Sequence, residues 1–299
     1  MPTTLVDRPV RPPAREQLLQ YLFQHRAATT AQLQAMVSPS PHPETLRQSL
    51  RRLRAEQLAQ SVVRAHHQSV WSLTARGQQA VLSWPQFRGR RPYRTGPLGL
   101  RSVHTLTVTR TAVAFLEDAR ARADECSPLD WEPEVAHPVR DGAADGERML
   151  IADALLRYTR TGPDRALLRA FVEVDRATES AERLAAKLIT YARFHAAPAS
   201  TPVGRRQGGG AGGLMVPWQR SYPVFPRVLF VLTGAGPRAL AQRIADLQAM
   251  VRQHPLVSRF AAAVPLGAAV LEEIEEQAAS ADVWLPLTNG SSRCSWMSL

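Results

Sequence analysis

The chain has 299 residues, 44% of them hydrophobic, which is ordinary for a folded protein of two compact units. It has no run of about 20 apolar residues, no leading signal segment, and only two cysteines that lie outside any Cys/His cluster. We therefore expect a cytoplasmic protein without membrane contact, zinc finger or disulfide scaffold, and its net charge of +11 directs attention to acidic partners.

The positive charge is concentrated at the amino-terminal end of the chain. The first 110 residues carry 16 arginines and four acidic residues, whereas the remainder carries 21 basic and 22 acidic residues. A basic module joined to an almost neutral one is typical of proteins that bind nucleic acid. The alternative, an arginine-rich surface without a ligand, would spread the excess charge along the whole chain.

The basic part begins with a proline-rich segment, residues 1–13, which we interpret as a flexible arm. Apolar spacing after it predicts four helices and one β-hairpin. These are helices beginning at Ala14, at Thr29 or Thr30, at Glu44 (44–59) and after Thr74, and strands over 61–64 and Ser69–Leu73. The order of these elements over residues 14–84 resembles winged helix-turn-helix DNA-binding domains.

The third predicted helix has the profile of a recognition helix. Its leucines form one buried stripe, and its other faces carry guanidinium, amide and hydroxyl groups that can bind bases or phosphates. Residues near its start point into the groove and are expected to read bases, while later arginines position the protein on phosphates. The predicted DNA contacts are Thr45, Arg47, Gln48, Ser49, Arg51, Arg52 and Arg54 on the helix, with Arg64, His66 and His67 on the hairpin.

A basic linker is predicted over residues 85–100, and an α/β sandwich with a mixed sheet over 101–287. The expected elements are helices over 101–123, 178–195 and 237–252, and strands over Trp131–Val139, 149–158, 167–175, 227–233 and 283–287. We interpret residues 198–226, which include the glycine run 208–213, as a flexible insertion. Residues 288–299 are expected to form a mobile tail.

Three acidic residues stand out against the apolar strands of this second domain. Asp153 interrupts one strand, and Glu173 and Asp175 share one face at the end of the next. Carboxylates this close to a core need cations or donors to balance them. Hard oxygen ligands on neighbouring strands suit Mg²⁺ or Mn²⁺, so all three residues are candidate metal ligands.

Lys187 is the only lysine in the chain and lies on the apolar face of its predicted helix. Glu173 and Lys187 are each roughly 13 Å from the turn between strand and helix, so the lysine returns to the level of the glutamate. Two carboxylates for a metal ion and a nearby ammonium group suit metal-assisted phosphodiester cleavage. Ion pairs with Arg157, Arg169 or Arg176 are the alternative role of the three acids.

The second domain resembles the PD-(D/E)XK nuclease superfamily, on the order of its elements and on Asp153 followed by Glu173-Val-Asp175. A fuller run is similar to the replication-relaxation family of bacterial plasmids and integrative elements, over about residues 14–290. The run comprises Val103–Arg110, Ile151–Asp153, Phe171–Ser180 and Lys187–Tyr191. The resemblance implies a role in replication and DNA relaxation, with Asp153 and Glu173 as metal-binding acids. Asp175 stands where the superfamily has its lysine, and Lys187 would replace that lysine.

Three functions follow from these patterns. The first is a DNA-binding protein whose second domain nicks or cuts DNA, with Asp153, Glu173, Asp175 and Lys187 as catalytic residues and Mg²⁺ or Mn²⁺ as cofactor. The second is a non-catalytic replication factor or repressor whose second domain is a scaffold or dimerisation unit. The third is a regulator that responds to a small ligand. The expected partners are duplex DNA, a second copy of the chain, and other replication or conjugation proteins, with the protein associated with the nucleoid or a plasmid.

Overall fold

In a computed structural model of the chain, the described residues are 12–64, 68–93, 100–139, 148–198, 215–288, 290 and 292–299. They form a mixed α+β structure, as expected, and the chain divides into two compact units. Unit 1 is Met1–Thr109 and unit 2 is Arg110–Leu299. None of the helices in the described ranges combines the length and apolar character that crossing a membrane requires.

Unit 1 contains four helices and a three-stranded antiparallel sheet in its described part. They are α1 (Ala14–His25), β1 (Ala28–Thr29), α2 (Thr30–Met36), α3 (Pro43–Ala55), β2 (Ala59–Val63), β3 (Ser69–Leu73) and α4 (Ala75–Leu82). The sheet order is β1-β3-β2, so β3 is the central strand. The helix α5 (Leu100–Arg122) begins in unit 1 and ends in unit 2.

Side-chain caps set the starts of two of these helices. Thr29 accepts a hydrogen bond from the Gln32 amide at 3.1 Å, and the Gln32 side chain accepts one from the Thr29 amide at 2.8 Å. Thr74 caps α4 by accepting a hydrogen bond from the Gly77 amide at 3.0 Å. The predicted end of α3 is wrong, because the helix stops at Ala55 and Gln57 adopts a positive φ of 59° that turns the chain into β2.

The predicted basic linker is partly an ordered piece of unit 1. Phe87 is buried, with its ring 5.2 Å from that of Phe23, and the Tyr93 hydroxyl donates a hydrogen bond to the Leu22 carbonyl at 3.2 Å. These contacts fix residues 85–93 on unit 1, since aromatic side chains gain most when their large surface is buried. Residues 94–99, which include Arg94, lie outside the described residues.

Unit 2 is built on a six-stranded sheet in the order β4-β5-β6-β7-β8-β9. Its elements are β4 (Trp131–Val139), β5 (Arg148–Arg160), β6 (Ala166–Asp175), α6 (Ala181–Ala196), β7 (Arg227–Leu232), α7 (Pro237–Gln253), α8 (Pro255–Ala263), β8 (Leu266–Val270), α9 (Leu271–Gln277) and β9 (Leu285–Pro286). The β6–β7 and β7–β8 pairs are parallel and the other pairs antiparallel, so the sheet is mixed, as predicted.

Each face of this sheet is buried by a different set of side chains. Residues of α6, α7 and α8 form one apolar core with Phe171 and Phe230 of the sheet. On the opposite face, Phe115 of α5 packs against Trp131, Trp284 and Trp296, with ring centroids 5.6–6.1 Å apart. Both faces therefore exclude water from the strands that carry the acidic residues.

The carboxyl-terminal tail is packed, which contradicts the prediction that residues 288–299 are mobile. Trp296 is fully buried, and its ring lies 5.3 Å from that of Tyr158. Cys294 exchanges backbone hydrogen bonds with Trp284 at 2.9 and 3.1 Å. The large indole surface of Trp296 holds the segment against the sheet. Residues 289 and 291 lie outside the described residues.

The predicted flexible insertion, 198–226, is also ordered where the structure describes it. Residues 199–214, including the glycine run, lie outside the described residues. From Met215 onward, Pro217–Arg220 forms a 3-10 turn, and Tyr222 and Phe225 are buried in the core with α6. The prediction is wrong for this part, because two aromatic side chains fix it to the core.

Candidate functional site

The exposed face of α3 is the first candidate site. Leu46, Leu50 and Leu53 are buried, which leaves the polar faces of the helix open to solvent. Of the seven predicted DNA contacts on α3, six are exposed: Thr45, Arg47, Gln48, Arg51, Arg52 and Arg54. Ser49 is half-buried and donates its hydroxyl hydrogen to the Thr45 carbonyl at 2.9 Å. The helix thus presents four guanidinium groups to solvent.

An open groove of about 450 Å³ runs beside α3 in unit 1. It is lined by residues of α2, α3, β3 and the hairpin: Thr30, Ala31, Gln34, Pro43, Arg47, Arg51, Gln68, Ser69 and Trp71. The indole of Trp71 is held in place because it donates a hydrogen bond to Thr30 Oγ1 at 3.0 Å. The groove combines two guanidinium groups with amides and hydroxyls, which suits a polyanion that also offers hydrogen-bonding edges.

Glu44 is a residue of this face that sequence reasoning did not single out. Its carboxylate accepts hydrogen bonds from Arg47 at 3.4 Å and from Arg51 at 2.9 Å, one to each oxygen. Both guanidiniums lower the pKa of the Glu44 carboxyl, Arg51 more than Arg47, so the group is ionised at neutral pH. Its spacing of three and seven residues from the arginines was the available signal.

The hairpin contacts are only partly described. Arg64, at the end of β2, is half-buried and engaged in interactions within the protein. His66 and His67 lie outside the described residues. The predicted role of these three residues in DNA binding stays a prediction.

The second candidate site is the acid–lysine cluster of unit 2, formed by Asp153, Glu173, Lys187 and Tyr191. Glu173 on β6 is fully buried, and both of its oxygens are engaged. Lys187 of α6 donates to Oε2 at 2.9 Å, and the Tyr191 hydroxyl donates to Oε1 at 2.5 Å. Lys187 Nζ also lies 3.8 Å from Asp153 Oδ2. The helix therefore returns Lys187 to the level of Glu173, as its spacing in the chain predicts.

Burial dominates the electrostatics of this cluster. The pKa of Glu173 is raised from 4.5 to about 7. Burial is the largest cause, the charge of Lys187 opposes it, and the charge of Asp153 adds to it. Burial alone would lower the pKa of Lys187, but the charges of Glu173 and Asp153 outweigh it and raise that pKa. Burial and the Glu173 charge also raise the pKa of Tyr191, so its hydroxyl remains a donor.

Asp153 lies where β5 and β6 separate. The ladder between the two strands ends at the pair Ala154 and Val172. Beyond it, Asp153 Oδ2 accepts the Val174 amide hydrogen at 2.8 Å, in place of a backbone carbonyl. The alternation of β5 also breaks here, because Ala152 and Leu155, three residues apart, reach the same core. Asp153 therefore satisfies a backbone amide that the separation of the strands leaves open.

Asp175 belongs to a separate ion pair further along β6. Arg243 of α7 donates to Asp175 Oδ2 and to the Glu179 carbonyl, both at 2.6 Å. Burial raises the pKa of Asp175, and the charge of Arg243 opposes this shift. The three acids are thus paired, but with Lys187 and Arg243, and not with the arginines that sequence reasoning offered. Arg243 was missed because the packing of α7 on β6 has no local signal, whereas Tyr191, four residues after Lys187 on the same helix, could have been found from its spacing.

The carboxylate oxygens of Asp153, Glu173 and Asp175 are not arranged as the ligands of a divalent metal ion. Both oxygens of Glu173 and one oxygen each of Asp153 and Asp175 already accept hydrogen bonds. In the part of the chain that the structure describes, no three acids, histidines or cysteines are arranged to hold a metal. Metal binding by Asp153, Glu173 and Asp175 stays a prediction.

Glu173→Gln is expected to change how stability depends on pH. Because folding raises the pKa of Glu173 from 4.5 to about 7, its proton stabilises the native state below about pH 4.5, and this stabilisation is lost as the pH rises to about 7. The loss amounts to no more than about 3 kcal/mol. The free energy of unfolding of the wild type, measured with denaturant, should therefore fall across this pH range relative to that of Glu173→Gln. Glu125→Gln, at an exposed pair with Arg165, should follow the wild type; parallel profiles for wild type and Glu173→Gln would contradict this assignment.

Comparison with known proteins gives one match. The family model described as replication-relaxation matches residues 19–205, more than half of the chain. The match covers both candidate sites, α3 of unit 1 and the acid–lysine cluster of unit 2. No curated protein and no solved structure matches the chain.

Proposed function

Because this chain belongs to the replication-relaxation family, we propose that it binds double-stranded DNA in the replication or relaxation of a plasmid or another mobile element. The observation that carries the proposal is the set of four exposed arginines on α3, two of which, Arg47 and Arg51, line an open groove. We interpret unit 1 as a winged helix-turn-helix, with α3 as the recognition helix and the β2–β3 hairpin as the wing.

The chemistry of α3 supports this interpretation. A helix fits the major groove of duplex DNA, and guanidinium groups on its solvent side can bind phosphates on the rims of the groove. Leu46, Leu50 and Leu53 fasten the opposite side of the helix to unit 1, so its orientation is set before any ligand arrives. A helix that is fixed in this way loses little conformational freedom on binding.

The proposal is tested by titrating a labelled random-sequence duplex with the full chain at low salt and following fluorescence anisotropy. Saturable binding that weakens as salt is added is the expected result, since arginine–phosphate contacts release counterions from the duplex. A duplex that remains free at low salt would overturn the proposal. Single-stranded DNA of the same sequence serves as the control for the preference of α3 for a duplex.

A second candidate function is cleavage of the bound DNA, and one observation favours it. Two acids and the only lysine of the chain meet where β5 and β6 separate. This arrangement, with the mixed sheet and α6, supports interpreting unit 2 as PD-(D/E)XK nuclease-like. The side chains as placed do not fit Mg²⁺ or Mn²⁺, however, and Lys187 already supplies the positive charge that Glu173 requires. We therefore propose that the acid–lysine cluster stabilises unit 2 as a scaffold.

Plasmid nicking separates the two functions of unit 2. With Mg²⁺ or Mn²⁺, we expect supercoiled plasmid to remain equally intact with the wild type and with Glu173→Gln, since Lys187 and Tyr191 already engage both oxygens of Glu173. Nicking by the wild type that Glu173→Gln abolishes would contradict the scaffold role and establish cleavage. Association with a second copy or with other replication or conjugation proteins stays a prediction.

A further inference from the structure

Glu44 is an acidic residue on the face that is proposed to meet DNA phosphates. It lies in the first turn of α3, exposed, and is the only acid of a helix that carries Arg47, Arg51, Arg52 and Arg54. On a surface that faces DNA phosphates, a carboxylate lowers affinity, because it repels the polyanion that the arginines attract. A base contact would give this carboxylate a role that offsets the repulsion.

Two guanidinium groups contact the Glu44 carboxylate. Arg51 donates a hydrogen bond to Oε1 at 2.9 Å and Arg47 donates one to Oε2 at 3.4 Å, so each carboxylate oxygen has one guanidinium partner. Each carboxylate oxygen has a second lone-pair direction that these bonds leave available. Both arginines line the groove beside α3, so the acceptor stands at the edge of the surface proposed to meet DNA.

The chemistry of base edges selects what this acceptor can read. In the major groove, cytosine presents an amino donor alone, and adenine presents an amino donor beside the N7 acceptor, which repels a carboxylate. Guanine presents two acceptors, and thymine presents an acceptor and a methyl group. An ionised carboxylate can only accept hydrogen bonds, so it pairs with the cytosine amino group and repels the acceptors of guanine and thymine. The first turn of a recognition helix is the part that points toward base edges.

We propose that Glu44, positioned by Arg47 and Arg51, determines specificity by accepting a hydrogen bond from the amino group of a cytosine in the major groove. This inference rests on the proposed DNA binding through α3. The two guanidiniums also leave the group of three side chains with a net positive charge, so the contact is compatible with phosphates nearby. Glu44 is thus assigned to discrimination between bases and the arginines of α3 to affinity, since a guanidinium that contacts Glu44 has further donors for a phosphate.

The test is selection from a random duplex pool by the full chain, using the wild type, Glu44→Gln and Glu56→Gln. The wild type should enrich C·G over other pairs at one position by roughly tenfold, the usual size of one good base contact. Glu44→Gln should change this preference to A·T, because glutamine pairs with adenine. Glu56→Gln removes the same charge at the other end of α3, where Glu56 pairs with Arg15, and should retain the cytosine preference.

The outcomes separate this inference from the proposed function. The role of Glu44 would be overturned if all three proteins select the same consensus, or if the wild-type consensus contains no cytosine. Either result would leave DNA binding intact. Enrichment of adenine by the wild type at the position that Glu44→Gln alters would also overturn the assignment to cytosine. If none of the proteins binds the duplex pool, DNA binding through α3 itself is wrong.

Discussion

Replacing Lys187 with methionine is expected to lower the free energy of unfolding of unit 2 by about 3–5 kcal/mol, the usual cost of breaking a buried ion pair. Glu173 is fully buried, and Lys187 is its only cationic partner among the described residues. Methionine fills the space of the lysine stem but leaves Glu173 without a cation, so the buried group must either keep an unpaired charge or take up a proton at neutral pH. Denaturant unfolding followed by tryptophan fluorescence measures the loss, since Trp131, Trp284 and Trp296 lie in unit 2.

The double variant Glu173→Gln with Lys187→Met separates charge from packing. Most of the stability should return, because neither charge remains buried without a partner and glutamine can still bind Tyr191. Arg157→Met is the matched control, since Arg157 pairs with Glu132 where both side chains are still partly exposed, and its loss should cost only about 0–1 kcal/mol. A Lys187→Met protein as stable as Arg157→Met would refute the structural role of the acid–lysine cluster.

Replacing Arg51, Arg52 and Arg54 together with alanine is expected to weaken duplex binding by roughly 10²–10³-fold, or about 1–1.5 kcal/mol for each guanidinium. All three side chains are exposed on α3 and are the predicted phosphate contacts. Alanine retains helix propensity, so α3 should remain folded and the loss should come from contacts with the DNA. Anisotropy titration of the full chain with a random-sequence duplex measures the effect.

The control for this variant removes the same charge from unit 2. Arg238, Arg252 and Arg259 are exposed on α7 and α8, away from α3 in the chain. Their replacement with alanine should change the affinity much less, because only long-range attraction is lost. Equal losses in the two triple variants would mean that DNA responds to net charge alone and that α3 is not the binding surface.

Much of unit 2 could be predicted from local patterns because its strands are long and bounded by clear breaks. The predicted span of β4, Trp131–Val139, matches the structure, and the predicted spans of β5, β6 and β7 are correct within two residues. Alternating or continuous apolar runs of this kind indicate a strand without reference to the rest of the chain, since the periodicity of a strand lies within the segment itself.

The missed elements lack such a signal. Strand β8 (Leu266–Val270) is built from a leucine, a glycine, two alanines and a valine, and small side chains are weak indicators of a strand. Helix α8 directly follows α7 with only His254 between them, so the two look like one broken helix in the sequence. The tail and residues 215–226 are packed because of single aromatic residues, Trp296 and Phe225. Whether such a residue is buried depends on the tertiary structure and cannot be judged from the segment alone.

Some contacts of the candidate sites could likewise be predicted from local patterns, and others could not. The contact between Lys187 and Glu173 could be predicted because both distances run from one turn along regular elements. The pairing of Asp175 with Arg243 could not, since it depends on how α7, 68 residues away, packs against β6. Glu44 was visible as an acid among arginines, but its grip by two guanidiniums appears only when side chains are placed.

The central claim is that α3 holds duplex DNA through its arginines, and the salt dependence of binding by the full chain tests it most directly. Binding constants for the wild type and for the Arg51, Arg52 and Arg54 variant are measured over a range of salt concentrations. We predict a logarithmic slope that is shallower in the variant by about 0.9 for each phosphate contact removed. Identical slopes for the two proteins, or a wild-type affinity that salt does not change, would contradict the claim.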